Sequence, residues 1–428
     1  MADIIVDGTT VGANRFLLLD STGKIPAVDG SQVTTIAAGN IATGTIPIAR
    51  IDTGTTANKI VKLDGNAKLP ALDGSLITNV PGATKNASDP TVSTNPSGGV
   101  GSEWHNTSTG EAYICTDATA GANVWTNVGA GSGDVSPFYG LGDTYGYAAG
   151  GGAGAPLYSN VIEKFAFNTS NNATDVGDLT VARGDGSSGH SSQDYGWMGG
   201  GGNPPANVID RWSFSSNGNA TDWGDLIGQS GSSVYGNTGH SSETHGYSSG
   251  GGWGAAWNKI QKFTFASAAN ATSVGALTGS WLYSAGAYST THGYTMGGHP
   301  VHNAINKFSF ASDGNATSVA TLSVGRKYGG GATSGTHGYH IGGQTSGNVN
   351  DIEKFSMVSD GNGTDVGDLT SAIYSPAGIN SATHGYAAGG NPGNLNLIQR
   401  FSFSSDGNSV DTTQDLTVGR AYPTGHQV

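Results

Sequence analysis

The sequence predicts an all-β protein whose residues 135–428 form a ring of six four-stranded units. Three observations carry this. One phrase recurs six times, clearest at Thr383-His384-Gly385-Tyr386-Ala387-Ala388-Gly389-Gly390, with its first glycine at Gly146, Gly196, Gly246, Gly293, Gly338 and Gly385. The spacings of 50, 50, 47, 45 and 47 residues match units of four short strands, the period of propeller blades. The chain also holds 72 glycines in 428 residues and only 11% charged residues. That glycine has no three-residue period and alternates with Phe, Tyr, Trp, Val and Ile, while long amphipathic helical patterns are missing.

Charge and cysteine content exclude several classes. The net charge of −13 opposes a nucleic-acid partner, whose backbone needs a Lys/Arg footprint. Cys115 is the single cysteine, so no intrachain disulfide and no paired-cysteine metal site is expected. No apolar run reaches the roughly 18 residues of a membrane span. Met1 to Asp20 lacks the basic start and apolar stretch of a signal peptide.

The N-terminal quarter carries a different, two-copy repeat. Asn14 to Asp20 aligns with Asn58 to Asp64, and Lys24-Ile25-Pro26-Ala27-Val28-Asp29-Gly30-Ser31 with Lys68-Leu69-Pro70-Ala71-Leu72-Asp73-Gly74-Ser75, at a constant offset of 44. Between them stands Thr43-Gly44-Thr45-Ile46-Pro47-Ile48-Ala49-Arg50-Ile51-Asp52. Such short apolar bursts, split by Pro and Gly, cannot build a core within one chain, so several chains would share one. The alternative is a disordered linker. These phrases resemble the shaft repeats of bacteriophage tail fibres, and the resemblance implies a homotrimer docked to other virion proteins through residues 1–82.

Residues 83–134 read as a linker and a small β-module. Pro81 to Val100 is rich in Pro, Ser, Asn and Gly. Strands follow at Gly101–Asn106, Glu111–Thr116 and Asn123–Val128. Trp104 and Trp125 could offer a sugar-stacking surface; the favoured reading makes them the module's core, with Cys115 buried beside them. The module also resembles small β-modules found beside shaft repeats in phage fibre proteins, which supports that structural role.

Within each unit of 135–428, the first strand follows an Arg phrase and the second is at Gly-Tyr. The third is aromatic, as in Asn160 to Phe167, and the fourth leads into a leucine. Leu179, Leu226, Leu277, Leu322, Leu369 and Leu416 form one ring of equivalent positions. Phe165, Trp212, Phe263, Phe308, Phe355 and Phe401 form a second, and Phe167, Phe214, Phe265, Phe310, Met357 and Phe403 a third. Residues two apart share a strand face, so the two aromatic rings are expected to pack between neighbouring units. The Gly pairs are assigned to the place where strands converge near the axis. Arg420 to His426 repeats the start of a first strand, so the C-terminal strand is expected to close the ring; Ser136-Pro137-Phe138-Tyr139 competes for that position.

This layout resembles the kelch repeat, which implies a six-bladed kelch-like β-propeller. The departures are the strand-four tryptophan, present only at Trp223, and the arginine, present only at Arg183, Arg326 and Arg420. An open β-solenoid or a differently built propeller are the alternative folds.

No motif carries catalysis, a metal or a cofactor. His245, His292, His337 and His384 recur at one position, with Tyr145 and Tyr195 in the other two copies, and read as structural rather than as a converging ligand set. Lys164, Arg211, Lys262, Lys307, Lys354 and Arg400 could line an anion-attracting channel or pair with Asp178, Asp225, Asp368 and Asp415. Asp360 to Asp365 lacks the full ligand spacing of a calcium loop. Gly246-Tyr247-Ser248-Ser249-Gly250 matches the serine-hydrolase pattern but lies inside the repeated phrase.

The working surface is therefore expected in the loops after each Gly pair, where the copies diverge. Tyr158, Trp253, Trp257, His299 and His302 are the candidate ligand-binding residues, with aromatic and imidazole faces suited to carbohydrate. The expected function is that of a virion-surface protein, a tail fibre or receptor-binding protein adsorbing to a glycan or protein of the bacterial surface. The alternatives are a structural or decorating virion protein without a receptor, and a polysaccharide-degrading tailspike.

Overall fold

The computed structural model describes residues 82–128, 141–152, 158–202, 206–228 and 233–428. The shaft-like repeats at 14–75 and the competing strand at 136–139 lie outside them. Among the described residues the chain is all β, with one small sheet at 84–127 and six antiparallel sheets between 145 and 427, and no helix.

The small sheet contains the three expected strands, Glu103–Asn106, Ala112–Asp117 and Val124–Asn127, and one more. Thr84–Asn86, read from the sequence as part of a linker, pairs in parallel with Glu103–Asn106. Its three side chains are polar and exposed, so it carries no hydrophobic signal. The following segment is tied down by polar bonds: Trp104 Nε1 donates to the Ser88 carbonyl at 2.9 Å, and Asn123 Nδ2 to that of Val92 at 2.8 Å. Trp104, Tyr113, Cys115 and Trp125 form the core, so the tryptophans are spent on packing.

Each of the six larger sheets is built around four strands joined in chain order. The second, for example, runs Ser188–Ser191, Tyr195–Gly199, Val208–Ser213 and Thr221–Asp225. The third adds the short strand Ala255–Ala256. The sheet holding Tyr145–Ala149 takes its first strand from the other end of the chain, Thr424–Gln427, with His426 opposite Tyr147. The C-terminal strand thus fills the place expected of it.

The first strands of the six sheets succeed one another in a closed order, each touching the next and the last touching the first. One glycine per strand sets the spacing: Gly189, Gly239, Gly286, Gly331, Gly378 and Gly425. A Cβ on any of them would fall on the carbonyl oxygen of the preceding glycine; even the loosest, Gly189 against Gly425, would leave only 2.7 Å. The sequence reading placed the Gly pairs at this convergence, and the structure corrects it. The pairs, such as Gly150-Gly151 and Gly389-Gly390, adopt left-handed φ angles. The second glycine donates its N–H to the connection entering the next sheet, at 2.7–3.0 Å in all six copies. The glycine of the Thr-His-Gly-Tyr phrase has a third cause: the aromatic ring of the third strand lies directly over it, as Phe165 over Gly146 and Phe401 over Gly385.

Repeated clamps join neighbouring sheets. The second-strand aromatics Tyr147, Trp197, Tyr247, Tyr339 and Tyr386 pack face to face or tilted on Phe214, Phe265, Phe310, Phe403 and Phe167, at 4.0–4.9 Å. Tyr294 instead donates its hydroxyl to the carbonyl of Met357 at 3.0 Å. The packing of these rings between units is as the sequence predicts. Asn172, Asn219, Asn270, Asn315, Asn362 and Asn408 each accept an N–H from the preceding sheet's fourth strand at 3.0–3.1 Å.

The basic ring neither forms a channel nor pairs with the fourth-strand aspartates. Lys262, Lys307 and Lys354 reach the turn of the following unit and bind Asp313, Asp360 and Asp406 at 2.7–2.9 Å, while Lys164 donates to Asn217. Being half-exposed, such pairs each contribute at most about 1 kcal/mol. Where the turn has Ala268 instead of an acid, Arg211 stacks on Tyr195 and Trp223 at 4.4 and 3.9 Å.

The deepest clamp is a buried charge pair in alternation with a neutral one. Position three of the third strand is Glu163, Asp210, Gln261, Asn306, Glu353 or Gln399. In every copy its side-chain oxygen accepts an N–H just after the preceding unit's leucine, at 2.6–3.2 Å. Where this residue is an acid, a buried arginine meets it: Arg420 with Glu163 at 2.9 Å, Arg183 with Asp210 at 2.6 Å, Arg326 with Glu353 at 3.3 Å. Where it is an amide, the arginine's place is held by Val234, Trp281 or Ile373.

Two outcomes follow. Replacing Arg420 by Ile leaves Glu163 buried and unpaired and is expected to cost about 3–5 kcal/mol. Adding Glu163→Gln, which copies the Ile373–Gln399 pairing, is expected to recover most of that loss in urea denaturation. Gly331→Ala drives a Cβ into Gly286 and is expected to lower stability by about 1–3 kcal/mol, whereas Gly314→Ala, with nothing within 4 Å, should change the melting temperature little.

Candidate functional site

Because side chains alternate along a strand, the residues two before and two after each ring glycine also face the axis. The layer after the ring is Ser191, Ser241, Tyr288, Thr333, Asn380 and Gln427, and it is polar throughout. Its members bond around the circle: Ser191 N–H to Ser241 Oγ at 3.0 Å, Thr333 N–H to Asn380 Oδ1 at 2.9 Å, Gln427 N–H to Ser191 Oγ at 3.3 Å. Tyr288 and Gln427 come from strands three places apart in the six-membered order, that is, opposite one another. Gln427 Nε2 donates to Tyr288 Oη at 3.1 Å. The tyrosine ring therefore lies across the axis and closes this end, with burial pushing its hydroxyl up to about 12.

The other end is framed by tyrosines, whose rings meet over the axis. The connections entering the first strands carry a left-handed residue just before the axial layers: Gly186, Gly236, Tyr283, Tyr328, Ser375 and Tyr422. A bulky residue held there is strained, and the strain is sustained by the surroundings. Those surroundings are a chain of backbone bonds: Tyr283 N–H to Gly236 O, Tyr328 N–H to Tyr283 O, Ser375 N–H to Tyr328 O and Tyr422 N–H to Ser375 O, at 2.6–3.0 Å. Tyr235 and Tyr374 stand one residue earlier in their connections. The five rings form one collar, with Tyr283–Tyr328 at 4.4 Å and Tyr235–Tyr283, Tyr328–Tyr374, Tyr328–Tyr422 and Tyr283–Tyr422 at 5.9–6.1 Å. Burial, with the nearby Asp185 carboxylate, pushes the Tyr283 and Tyr328 hydroxyls up, so they stay protonated donors. Lys327 Nζ sits 4.9 Å over the Tyr328 ring.

Below the collar are two overlapping recesses of about 90 and 120 Å³, both lined by Ser187, Asn237, Ser284, Gly329, Pro376 and Pro423. Both are walled largely by glycine and small residues, and the rings of Tyr283, Tyr328 and Tyr422 line the upper one.

The loops after the Gly pairs belong to this same end. Leu282 bridges His299, Lys327 bridges Gln344, Tyr374 bridges Asn391 and Ala421 bridges Gly152, so each leans on a collar connection. The loops that the sequence singles out therefore lie beside the collar. None of Tyr158, Trp257, His299 and His302 lines the recesses, and the side chain of Trp253 lies outside the described residues. His302 is wedged against Trp281, ring centroids 3.9 Å apart, and burial pushes its imidazole down to about 4. Trp257 packs on a core cluster with Trp223 and Phe263. Tyr158 is half-buried; only His299 is exposed. The collar tyrosines do stand in the sequence three or four residues before five of the six axial glycines, as in Tyr422-Pro423-Thr424-Gly425. That phrase was legible only as a strand start.

Seven of the eleven histidines fall into two sets, and both are structural in their contacts. His245, His292, His337 and His384 are half-buried and each binds the hydroxyl of the threonine before it at 2.8 Å. His190, His240 and His426 are fully buried beside the ring glycines. Their Nδ1 atoms bond the carbonyls of His240, Ala287 and His190 in the next sheet at 3.0–3.1 Å. Among the described residues no group of three or more His, Cys, Asp or Glu could hold a metal ion. Ser248 of the Gly-x-Ser-x-Gly match lies mid-strand, buried, 2.7 Å from Asn237 Nδ2, not on a strand-to-helix elbow.

No protein-family model matches the chain, and no curated protein is detectably similar to it.

Burial pushes the imidazoles of His190 down to about 4 and of His240 and His426 to about 3. A depressed histidine pKa means that the unfolded chain takes up protons first, so the contribution is intact above about pH 6.5 and is lost as pH falls toward 4. Each such histidine is expected to cost on the order of 2 kcal/mol by pH 5. Thermal melts between pH 8 and pH 5 should show the decline. His240→Ala, which copies Ala287 at the same place in the next sheet, should reduce its steepness.

Proposed function

We propose that residues 135–428 form a six-bladed kelch-like β-propeller carried by a bacteriophage tail-fibre-like virion protein, and that the tyrosine face attaches the particle to its bacterial host. The glycine ring, the six repeated inter-sheet clamps and the first sheet completed by the C-terminal strand support the propeller. The shaft-like phrases at 24–31, 43–52 and 68–75 support the fibre, with residues 1–82 docking to other virion proteins and bringing three chains together.

The observation that carries attachment is the tyrosine collar. Three bulky aromatics in left-handed backbone are a costly way to build a connection, because Gly186, Gly236 and Ser375 occupy the same position in the other units. Packing does not require them there. Half-buried tyrosines, apolar in body and polar at the tip, are what a recognition surface needs.

Fluorescently labelled full-length protein, applied to a panel of bacterial strains, is expected to bind at least one. The double variant Tyr283→Ser/Tyr328→Ser copies Ser375 at the same position and should melt near the wild type. It is expected to lose at least about tenfold in cell binding. No binding to any strain would favour a decorating role without a receptor. Undiminished binding by the double variant would move the attachment site off the collar.

A further inference from the structure

The geometry points to a binding site away from the collar: a cleft between the second and third of the larger sheets, at the Tyr288 end, that holds a short uncharged saccharide. This site does not rest on the collar being the attachment surface.

Three departures from the repeat meet at the cleft. Its volume is about 640 Å³, within the roughly 300–1,000 Å³ of ligand sites. Its lips are the hairpins that follow the first strands ending at Ser191 and Ser241. Asp194 stands on one hairpin, where the other five units have Thr144, Thr244, Thr291, Thr336 and Thr383. Glu243 stands on the other, where Asp143 is the single other acid among the equivalents. Behind them Trp197 replaces the second-strand tyrosine of the other five units. Tyr147, Tyr247 and Tyr294 donate their hydroxyls to the carbonyls of Phe214, Phe310 and Met357 in the following sheet. Trp197 gives the Phe265 carbonyl no such bond, because its indole N–H is buried without an acceptor. The seam is one clamp short at the place where the cleft opens.

The lining fits an uncharged sugar. A pyranose presents an apolar C–H face and a rim of hydroxyls that both donate and accept. Phe265 and Tyr195 line the cleft half-buried and are the aromatic bodies for the first. Trp197 holds Phe265 from one side at 4.0 Å, and Arg211 holds Tyr195 at 4.4 Å. For the hydroxyls there are the exposed Asp194 and Glu243 carboxylates, which accept, and the exposed Gln193 amide, which does both. Burial, and then the Lys262 ammonium, hold the His245 imidazole below its usual value, so it brings no positive charge at neutral pH. Lys262 itself is taken by Asp313 at 2.7 Å. A phosphate or a uronate would therefore meet two carboxylates. An ammonium group would need those carboxylates to converge, but they stand on separate hairpins in water, and the Arg211 guanidinium beside Tyr195 would repel it.

The test uses full-length protein on immobilised neutral oligosaccharides (glucan, mannan and galactan fragments), with glucosamine oligomers and phosphate-bearing surfaces alongside. Capture of at least one neutral oligosaccharide is expected. The double variant Asp194→Thr/Glu243→Ala copies Thr383 and Ala382 at the same places, so it should melt near the wild type. Its capture should fall at least about tenfold. Tyr283→Ser/Tyr328→Ser, at the other end, should capture as the wild type does. No capture of a neutral oligosaccharide, or stronger capture by the glucosamine or phosphate surfaces, would overturn the ligand class. Undiminished capture by the Asp194→Thr/Glu243→Ala variant would overturn the cleft as the site. Should the collar variant alone lose capture, the sugar belongs to the collar. Should it lose cell binding and keep capture, the two sites are separate, as proposed.

Discussion

Six strands brought together at one axis leave no room for a β-carbon, and the rest of the molecule is arranged to hold that approach. Gly189, Gly239, Gly286, Gly331, Gly378 and Gly425 are the point of closest contact. Packing backbone on backbone yields little apolar burial, so the attraction must come from farther out. It comes in shells. The buried acid or amide ties each third strand to the preceding unit. The stacked aromatics fill the wedge between sheets, and the asparagine and Lys–Asp contacts fasten the outer edge. The acid-or-amide and asparagine bonds recur in all six units, the aromatic stacks in five and the Lys–Asp pairs in three, and the C-terminal strand completes the first sheet.

The sets tolerate exchange only when partners change together. Arg420, Arg183 and Arg326 occur with Glu163, Asp210 and Glu353. Val234, Trp281 and Ile373 occur with Gln261, Asn306 and Gln399. An isolated buried charge costs several kcal/mol, so an intermediate with only one member changed is disfavoured. The same logic holds at the edge, where Ala268 replaces the acid and Arg211 turns to Trp223. The amide keeps the hydrogen bond to the neighbouring backbone in either case, which is why that position is never apolar.

The sequence made much of this legible. Strand count, the aromatic rings between sheets and the closing strand follow from period and position. So does the structural role of the His245 set, because those features recur at fixed spacing. What stayed hidden depends on which of several equivalent-looking glycines sits where. Three glycine sets recur per unit, and only coordinates separate one under an aromatic ring, one in a left-handed connection and one at the axis. The Arg–acid alternation was present in the residues, but it links positions about 27 apart within one turn of the repeat and, for Arg420 and Glu163, opposite ends of the chain. The surroundings of the loop residues stayed hidden for a related reason: a variable loop residue such as His302 reads as surface, yet Trp281 stacks on it, and a tyrosine beside a strand start carried no sign of facing the axis.

The axis also changes where specificity should be sought. In the shells each position repeats because each junction needs it. In the axial layers the pattern breaks: Ser187, Asn237, Ser284, Gly329, Pro376 and Pro423 are chemically unlike, as are Ser191, Ser241, Tyr288, Thr333, Asn380 and Gln427. Nothing in the packing of one sheet on the next demands that Tyr288 be the single large residue of its layer, or that tyrosines occupy three of six strained positions at the mouth. A six-fold scaffold has only one place where all units meet, and a side chain there is seen from every direction. Departures from the repeat placed at that point shape a single asymmetric surface, whereas the same departures in the loops would give six separate ones.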